Sequence, residues 1–351
     1  MDVIGRYQVV RKLGQGGMAE AFLATAAGVG GFQKSVVVKV ILPAFAHDPR
    51  LVDLFFREAR IAAGLNHPNV VQVFDFGVDR ERPFLAMEFV DGLTLRQLLQ
   101  REWGEGRPVP VPYALRIATQ VCAGLGHAHT LVDRDTQAPR GVVHRDVSPD
   151  NVLLAHSGVV KVSDFGLARA IDATHSTALR GKCGYLAPEQ MREQGRFDHR
   201  ADLFALGVVL FETLTGRRPF VGPTDLMVMQ AVLHEPTPRL TERRPGAPKS
   251  LEALVDRLLE KDPGDRPASA AEVLAELERI AAEVPPVRTA DFSAYLDSRA
   301  AEEITATEPP TRPLPAEPAP RPGNRWRWLV LLGAAALAAS LAWLRGGGPG
   351  R

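Results

Sequence analysis

The stretch His144-Arg145-Asp146-Val147-Ser148-Pro149-Asp150-Asn151, followed after two short predicted strands by Asp164-Phe165-Gly166, sets Asp146, Asn151 and Asp164 in one loop-strand-strand-loop unit. Phosphoryl transfer needs divalent metal held by hard oxygen ligands, and a carboxylate that orients an attacking hydroxyl and accepts its proton. An Asp, an Asn five residues on and a second Asp supply those parts. Any one of them alone would pass as a turn or cap residue. Their order along the chain, together with what lies upstream, argues against coincidence.

Upstream, Gly14-Gln15-Gly16-Gly17-Met18-Ala19 lies between two predicted strands. Such a turn is either a plain hairpin or a place where backbone amides approach a phosphate. A strand rather than a helix follows it, which disfavours the dinucleotide-binding fingerprint. Lys39 ends the apolar run Val36-Val37-Val38. It is either an edge lysine extending to water or a phosphate clamp. Glu58 sits among apolar positions of a predicted helix, where an acid needs a partner such as Lys39.

Branched and aromatic residues mark predicted strands over 7–13, 21–24, 36–41, 70–76 and 84–89. One helix interrupts them, beginning at Asp48-Pro49, an N-cap followed by a first-turn proline. From Thr94 to about Glu283 the pattern is mainly helical, over 113–131, 201–215, 226–233, 251–259 and 270–282. Ser269 and Glu272 form a capping-box signature for the last of these. Beyond Val284 the composition shifts, and 309–322 is dense in proline, which favours an extended linker. The uncharged run 328–344 would span roughly 26 Å as a helix, short but workable against a hydrocarbon core of about 30 Å. Trp326, Trp328 and Trp343 lie at its two ends, and Arg321, Arg325 and Arg327 outnumber Arg345 and Arg351, which orients the N-terminal side to the cytoplasm.

The 42 basic and 41 acidic residues nearly cancel, so global charge gives no reason to expect a nucleic-acid partner. Cys122 and Cys183 are too few for a disulfide framework, and no signal-peptide pattern follows Met1. His127, His129 and His144 lack a further ligand at zinc spacing.

With these elements in order, the chain resembles the eukaryotic-like protein serine/threonine kinases, in a form common among bacterial members. The resemblance runs from about Tyr7 to Glu283 and includes Ala187-Pro188-Glu189, Asp202 at the start of a long helix, and Arg266 after Lys261-Asp262-Pro263. It implies an α+β fold of two lobes, a small antiparallel sheet with one helix above a larger helical lobe, with ATP between them. It makes Lys39 the ligand of the α and β phosphates and Glu58 its ion-pair partner. Asp146 becomes the catalytic base, and Asn151 and Asp164 the ligands of Mg²⁺ or Mn²⁺. The nucleotide pocket falls to Leu13, Gly14, Gln15, Gly16, Gly17, Ala21 and Leu153, with the backbone of Glu88 and Val90 beside a gatekeeper-like Met87. Glu189 and Arg266 correspond to a structural salt bridge anchoring the activation segment.

The chain departs from the family pattern at five positions. Ala19 stands for the third glycine of the loop. Ala21 and Val37 exchange the family's usual valine and alanine around the purine, which could conserve pocket volume. Ser148 stands where these kinases usually carry a lysine that steadies the γ phosphate, and Lys182 where they usually have a threonine contacting that lysine. The expectation is that the Lys182 ammonium replaces the missing charge while the Ser148 hydroxyl takes the threonine's place; a solvent-facing, substrate-binding Lys182 is the competing reading. Arg145 beside the base implies a phosphorylated partner, for which Thr174, Ser176 and Thr177 are candidates.

The resulting expectation is a catalytic domain over 1–283 (lobes 7–90 and 91–283), a disordered proline-rich linker over 284–325, a transmembrane helix over 326–345 and a short tail over 346–351. The function expected is ATP-dependent phosphorylation of serine and threonine hydroxyls on proteins, with autophosphorylation and possible self-association, from the inner face of the cell membrane. The tail is too short for a sensor, so an external signal would come through a membrane partner or clustering. A pseudokinase scaffold that binds ATP without transfer is the alternative, favoured only by Ser148. Small-molecule kinases lack the Ala-Pro-Glu segment and the peptide-docking loop before it.

Overall fold

The computed structural model describes residues 3–132, 136, 138, 140–165, 182–192 and 197–300, with the side chains of Val29 and Glu58 also outside the description. Strands β1 (Val3–Ile4), β2 (Tyr7–Gln15), β3 (Ala19–Ala27), β4 (Gln33–Ile41), β5 (Val73–Asp79) and β6 (Arg82–Glu88) form one antiparallel sheet in the order β1-β2-β3-β4-β6-β5. Alternation sorts its faces. Val36, Val38 and Val40 bury one side of β4 with Tyr7, Phe22, Ala24, Phe84 and Ala86. Val37 and Lys39 point to the other side, where Lys39 pairs in register with Ala21 and with Leu85.

Helix α1 (Pro43–Ala46) leads into α2 (Pro49–Ala63), whose start is fixed by Asp48: its carboxylate accepts the Arg50 amide at 2.9 Å, with Pro49 in the first turn. Phe55, Ala59 and Ala62 of α2 pack with Ile41, Leu85 and Met87. A short sheet of β7 (Gly92–Thr94), β8 (Val152–Ala155) and β9 (Val160–Val162) belongs to the second lobe.

That lobe contains α3 (Leu95–Gly104), α4 (Val111–His129), α5 (Pro188–Met191), α6 (Arg200–Thr215), α7 (Asp225–His234), α8 (Leu240–Arg243), α9 (Lys249–Leu258), α10 (Ala270–Ala281) and α11 (Thr289–Ala300). Buried α6, almost wholly apolar, is the central member, with α4 and α9 packed against it and α10 packed on α4 and α9. Ser269 caps α10 as expected, accepting the Glu272 amide at 3.2 Å, while the Glu272 carboxylate reaches back to the Ala268 amide at 2.9 Å. The two-lobed α+β architecture implied by the resemblance is the one observed.

The lobes are joined by backbone as well as by the chain. Val71 donates to the Val162 carbonyl and Val162 to the Asn69 carbonyl, each at 2.9 Å. The Asn69 side chain adds bonds to Gln120 and Val160. Helix α4 comes so near that a Cβ on Gly124 would lie 2.6 Å from the Asn69 carbonyl oxygen. This junction fixes β9, and with it Asp164 two residues beyond.

One boundary is corrected. Residues 289–300, expected within a disordered linker from 284, form α11, whose Phe292 and Leu296 are wholly buried. Tyr295 stacks on Tyr113 at 4.6 Å, and Arg116 donates to Thr289 at 3.1 Å. The apolar run 328–344 and most of the proline-rich linker lie outside the described residues; among those described, no helix is long and apolar enough to cross a membrane.

Candidate active site

The catalytic-loop candidate is held by a buried acid. Asp202, in the first turn of α6 and 1% exposed, accepts the His144 amide at 2.7 Å, the Arg145 amide at 2.8 Å and the His129 ring at 2.8 Å. Those bonds hold Arg145 at φ 72°, in the left-handed region uncommon for a residue with a side chain. His144 is fully buried against Phe165. Its Nδ1 accepts the Asp146 amide at 3.2 Å, so Nε2 carries the proton and donates it to the Ser163 carbonyl at 2.8 Å. One imidazole thus ties the loop bearing Asp146 to the segment bearing Asp164.

Asp146 and Asn151 are brought together as the spacing predicts. The Asn151 side-chain amide donates to the Asp146 carbonyl at 2.8 Å and to its Oδ2 at 2.9 Å. Both amide protons are then engaged, and no described residue bonds Asn151 Oδ1, which is left as a neutral hard donor. Asp164, itself at φ 62°, is the residue expected to supply the second oxygen ligand. Burial pushes its carboxyl up, but the Lys39 ammonium in direct contact, with His144 and Lys182 nearby, holds it below the usual carboxylate range. One carbonyl oxygen and one ionised carboxylate fit Mg²⁺, which keeps waters and takes phosphate oxygens for the rest of its shell. Among the described residues there is no cluster of three or more His, Cys, Asp or Glu side chains that would form a closed metal cage.

The residues expected to face a nucleotide come from neighbouring strands. Gly14 pairs with Ala21, and Ala21 with Lys39, across β2, β3 and β4. The glycine-rich turn is tighter than expected, because β2 runs to Gln15 and β3 begins at Ala19, with the Gly16 amide donating to the Ala19 carbonyl at 2.9 Å. A Cβ on Gly14 would meet nothing within 4 Å, so packing does not require glycine there. Leu13 is exposed. Val37, Val90 and Leu153 pack against the cluster containing Met87. The Glu88 amide is committed to the Gln72 carbonyl at 2.8 Å, which leaves only its carbonyl to a ligand. Its side chain pairs with Lys161 at 3.0 Å. Glu58 is on α2, but its side chain is not among those described.

Lys182 and Ser148 part company. The Lys182 ammonium donates to Asp146 Oδ2 at 2.7 Å. Ser148 is wholly buried and its Oγ has no hydrogen-bond partner among the described residues, so the hydroxyl does not serve Lys182 as the sequence exchange suggested. The Cys183 thiol is buried, aimed at Asp225 and pushed up by burial and that carboxylate. Thr174, Ser176 and Thr177 lie outside the described residues.

Glu189 and Arg266 form the expected buried pair, two-pronged at 2.7 and 2.8 Å. Two residues that hold the site together escaped the sequence. Asp202 was placed only as a helix opener, and Arg96 was passed over. The Arg96 guanidinium reaches Tyr185 at 2.6 Å, Glu212 at 3.0 Å and Asp150 at 3.3 Å. The available signal was a lone acid, Asp202 or Glu212, inside an otherwise apolar helix.

Residues 7–277 match the protein kinase domain family. The chain is 40% identical over 282 residues to the tyrosine-protein kinase MasK of Myxococcus xanthus, covering 80% of this chain and 43% of that protein. It is 39% identical over 312 residues to the serine/threonine-protein kinase pkn3 of Myxococcus xanthus, covering 83% and 54%. It is 37% identical over 309 residues to the serine/threonine-protein kinase PknB of Mycobacterium leprae, covering 84% and 47%. The chain thus spans about half the length of the curated relatives it matches. The solved kinase domain of Mycobacterium tuberculosis PknI matches with a TM-score of 0.61 at 29% identity, over 79% of this chain and 97% of that one. With the domain match over residues 7–277 and these identities over most of the chain, the chain belongs to the eukaryotic-like protein serine/threonine kinase family.

Proposed function

We propose that the protein transfers the γ-phosphoryl group of ATP, with Mg²⁺ or Mn²⁺, to serine and threonine hydroxyls of protein substrates. The observation that carries this reading is the Asp146 carboxylate, bonded by Asn151 and Lys182 in the same cleft as the Lys39–Asp164 pair. Asp146 Oδ2 is engaged by these two donors, which leaves Oδ1 to orient a hydroxyl and take its proton. Lys39 is placed to release Asp164 and engage phosphate oxygens. Asn151 Oδ1 and the Asp164 carboxylate would hold the metal, which when bound supplies charge neutralisation at the phosphates.

Autophosphorylation at Thr174, Ser176 or Thr177 belongs to this proposal, as does self-association to bring it about. The motive is Arg145, exposed beside the base and stacked at 5.6 Å over Phe197. Attachment to the inner face of the cell membrane through 326–345 is the remaining part, supported by the composition of that segment. Labelled phosphate transfer by wild type and Asp146→Asn tests the enzyme reading: label in the wild type alone is expected, and no nucleotide binding or transfer in either would remove it. A nucleotide-binding scaffold without transfer would bind ATP with metal and label nothing.

Tyrosine as acceptor is the second reading, favoured by the 40% identity to a protein named a tyrosine kinase. The catalytic loop lacks the arginine and alanines usual in tyrosine kinases, which favours serine and threonine. Phosphoamino-acid analysis of the labelled product decides between them.

A further inference from the structure

We propose that Lys182 is the cation that meets the transferring phosphoryl group beside Asp146, a charge supplied from outside the catalytic loop. The inference rests on the phosphoryl-transfer reading above and adds a residue to it.

Between the base and Asn151 the loop carries no positive charge. Val147 and Ser148 are buried and uncharged, Pro149 is buried, and Asp150 is turned to Arg96. The Ser148 hydroxyl, fully enclosed and unpartnered among the described residues, projects nothing into the cleft. The reaction nevertheless brings an anionic nucleotide against two carboxylates. Lys39 already faces Asp164. At Asp146 the matching cation is Lys182, 2.7 Å from Oδ2. An ammonium has three N–H donors and no acceptor. One is spent on Asp146, leaving two for phosphate oxygens on a side chain that is 38% exposed.

The backbone that carries this lysine is hydrogen-bonded and leads into a buried turn. The Lys182 carbonyl accepts the Tyr185 amide at 3.0 Å and opens a 3₁₀ turn, Cys183–Tyr185, that is buried throughout. A Cβ on Gly184 would lie 2.6 Å from an Arg218 nitrogen, so the turn is seated directly against that side chain. A residue that only gripped peptide substrate would have no need to be held against the base.

Three measurements test the assignment. Lys182→Ala should lower kcat for peptide phosphorylation, and the slow hydrolysis of ATP by water, by about 10² to 10³, the usual effect of removing one transition-state electrostatic contact. Affinity for ATP with Mg²⁺ should stay within about threefold, because the contact strengthens only as charge develops. A Lys182→Cys protein should be equally slow and should recover most of its turnover when alkylated with 2-bromoethylamine, which rebuilds an ammonium of nearly the same length. Normal hydrolysis with only the peptide KM raised would assign Lys182 to substrate binding and overturn the proposal. So would turnover that stays low after alkylation of a protein that melts and binds ATP normally. Asp146→Asn runs alongside: if it is inactive while Lys182→Ala is fully active, only this inference fails, whereas an active Asp146→Asn would remove the reading beneath it.

Discussion

Arg96 donates a hydrogen bond to the Tyr185 hydroxyl at 2.6 Å, linking the first turn of α3 to the turn that carries Lys182. The same guanidinium reaches Glu212 on α6 and Asp150 in the catalytic loop. Burial works against its charge, but Tyr185 and Glu212 hold its pKa above the ordinary guanidinium value. Burial and Glu212 push the Tyr185 phenol up as well, so the phenol stays protonated and donates to Glu212. Three elements bearing on Asp146 are registered by one side chain.

Arg96→Met keeps the stem and removes the fork. It leaves Glu212, whose side chain is 3% exposed, without its counter-charge, and a buried pair broken on one side costs about 3–5 kcal/mol. Turnover should fall roughly 10- to 100-fold, since a displacement of about 1 Å at reacting groups has that effect. Adding Glu212→Gln should restore much of the stability and little of the rate. If stability and kcat recover together in the double variant, as followed by urea denaturation and steady-state kinetics, Arg96 is merely structural.

The loop and its candidate ligands were legible because motif chemistry is local: Asp146, Asn151 and Asp164 lie within one loop-strand-strand unit whose order survives folding. The sheet was legible from its runs of branched and aromatic residues, and α2 from Asp48-Pro49. Asp202 was not, because an aspartate in a helix's first turn is equally consistent with capping its own helix. Nothing in the sequence says that it reaches amides at 144 and 145. Arg96 was hidden for the same reason, since its three partners are distant in sequence. For α11 the obstacle was context. Pro285 and Pro286 announce a linker, whereas the spacing of Phe292, Tyr295, Leu296 and Arg299 is that of a helix with one packed face.

Helix α11 is part of the folded unit and should contribute to its stability. Phe292 is enclosed among Tyr113, Tyr295 and the Arg116 guanidinium, which lies 5.4 Å over its ring. Phe292→Ala should cost about 3–5 kcal/mol, the range for emptying a buried aromatic site. Arg299→Ala leaves Glu102, nearly fully buried, without one of its two arginine partners and should cost less, because Arg107 remains. Thermal and urea unfolding measure both, and Phe292→Ala that melts like the wild type would show that α11 is only laid on the surface.

The Lys39–Asp164 pair makes a signed prediction for stability against pH. In the folded protein the Asp164 carboxyl sits below its ordinary value, so on acidification the unfolded chain takes up this proton first. The pair's stabilisation is therefore fully present above the ordinary carboxylate pKa and is lost as pH falls through the depressed folded value. Lys39→Met removes the ammonium and leaves burial, which pushes the carboxyl the other way and lets it fold protonated. With each side chain about a fifth exposed, the variant should be less stable than wild type by roughly 1–3 kcal/mol at pH 7, below the range for fully enclosed pairs. The gap should narrow steadily between about pH 5 and pH 3, as the unfolded wild type gains its proton and the variant's carboxyl is already neutral. Asp164→Asn, which cannot titrate, separates this effect from every other carboxylate: Lys39→Met on that background should show a gap that does not change with pH. Urea denaturation of the four proteins across that range provides the measurement, and a gap of constant size on the wild-type background would mean that Lys39 does not control Asp164 in the free enzyme.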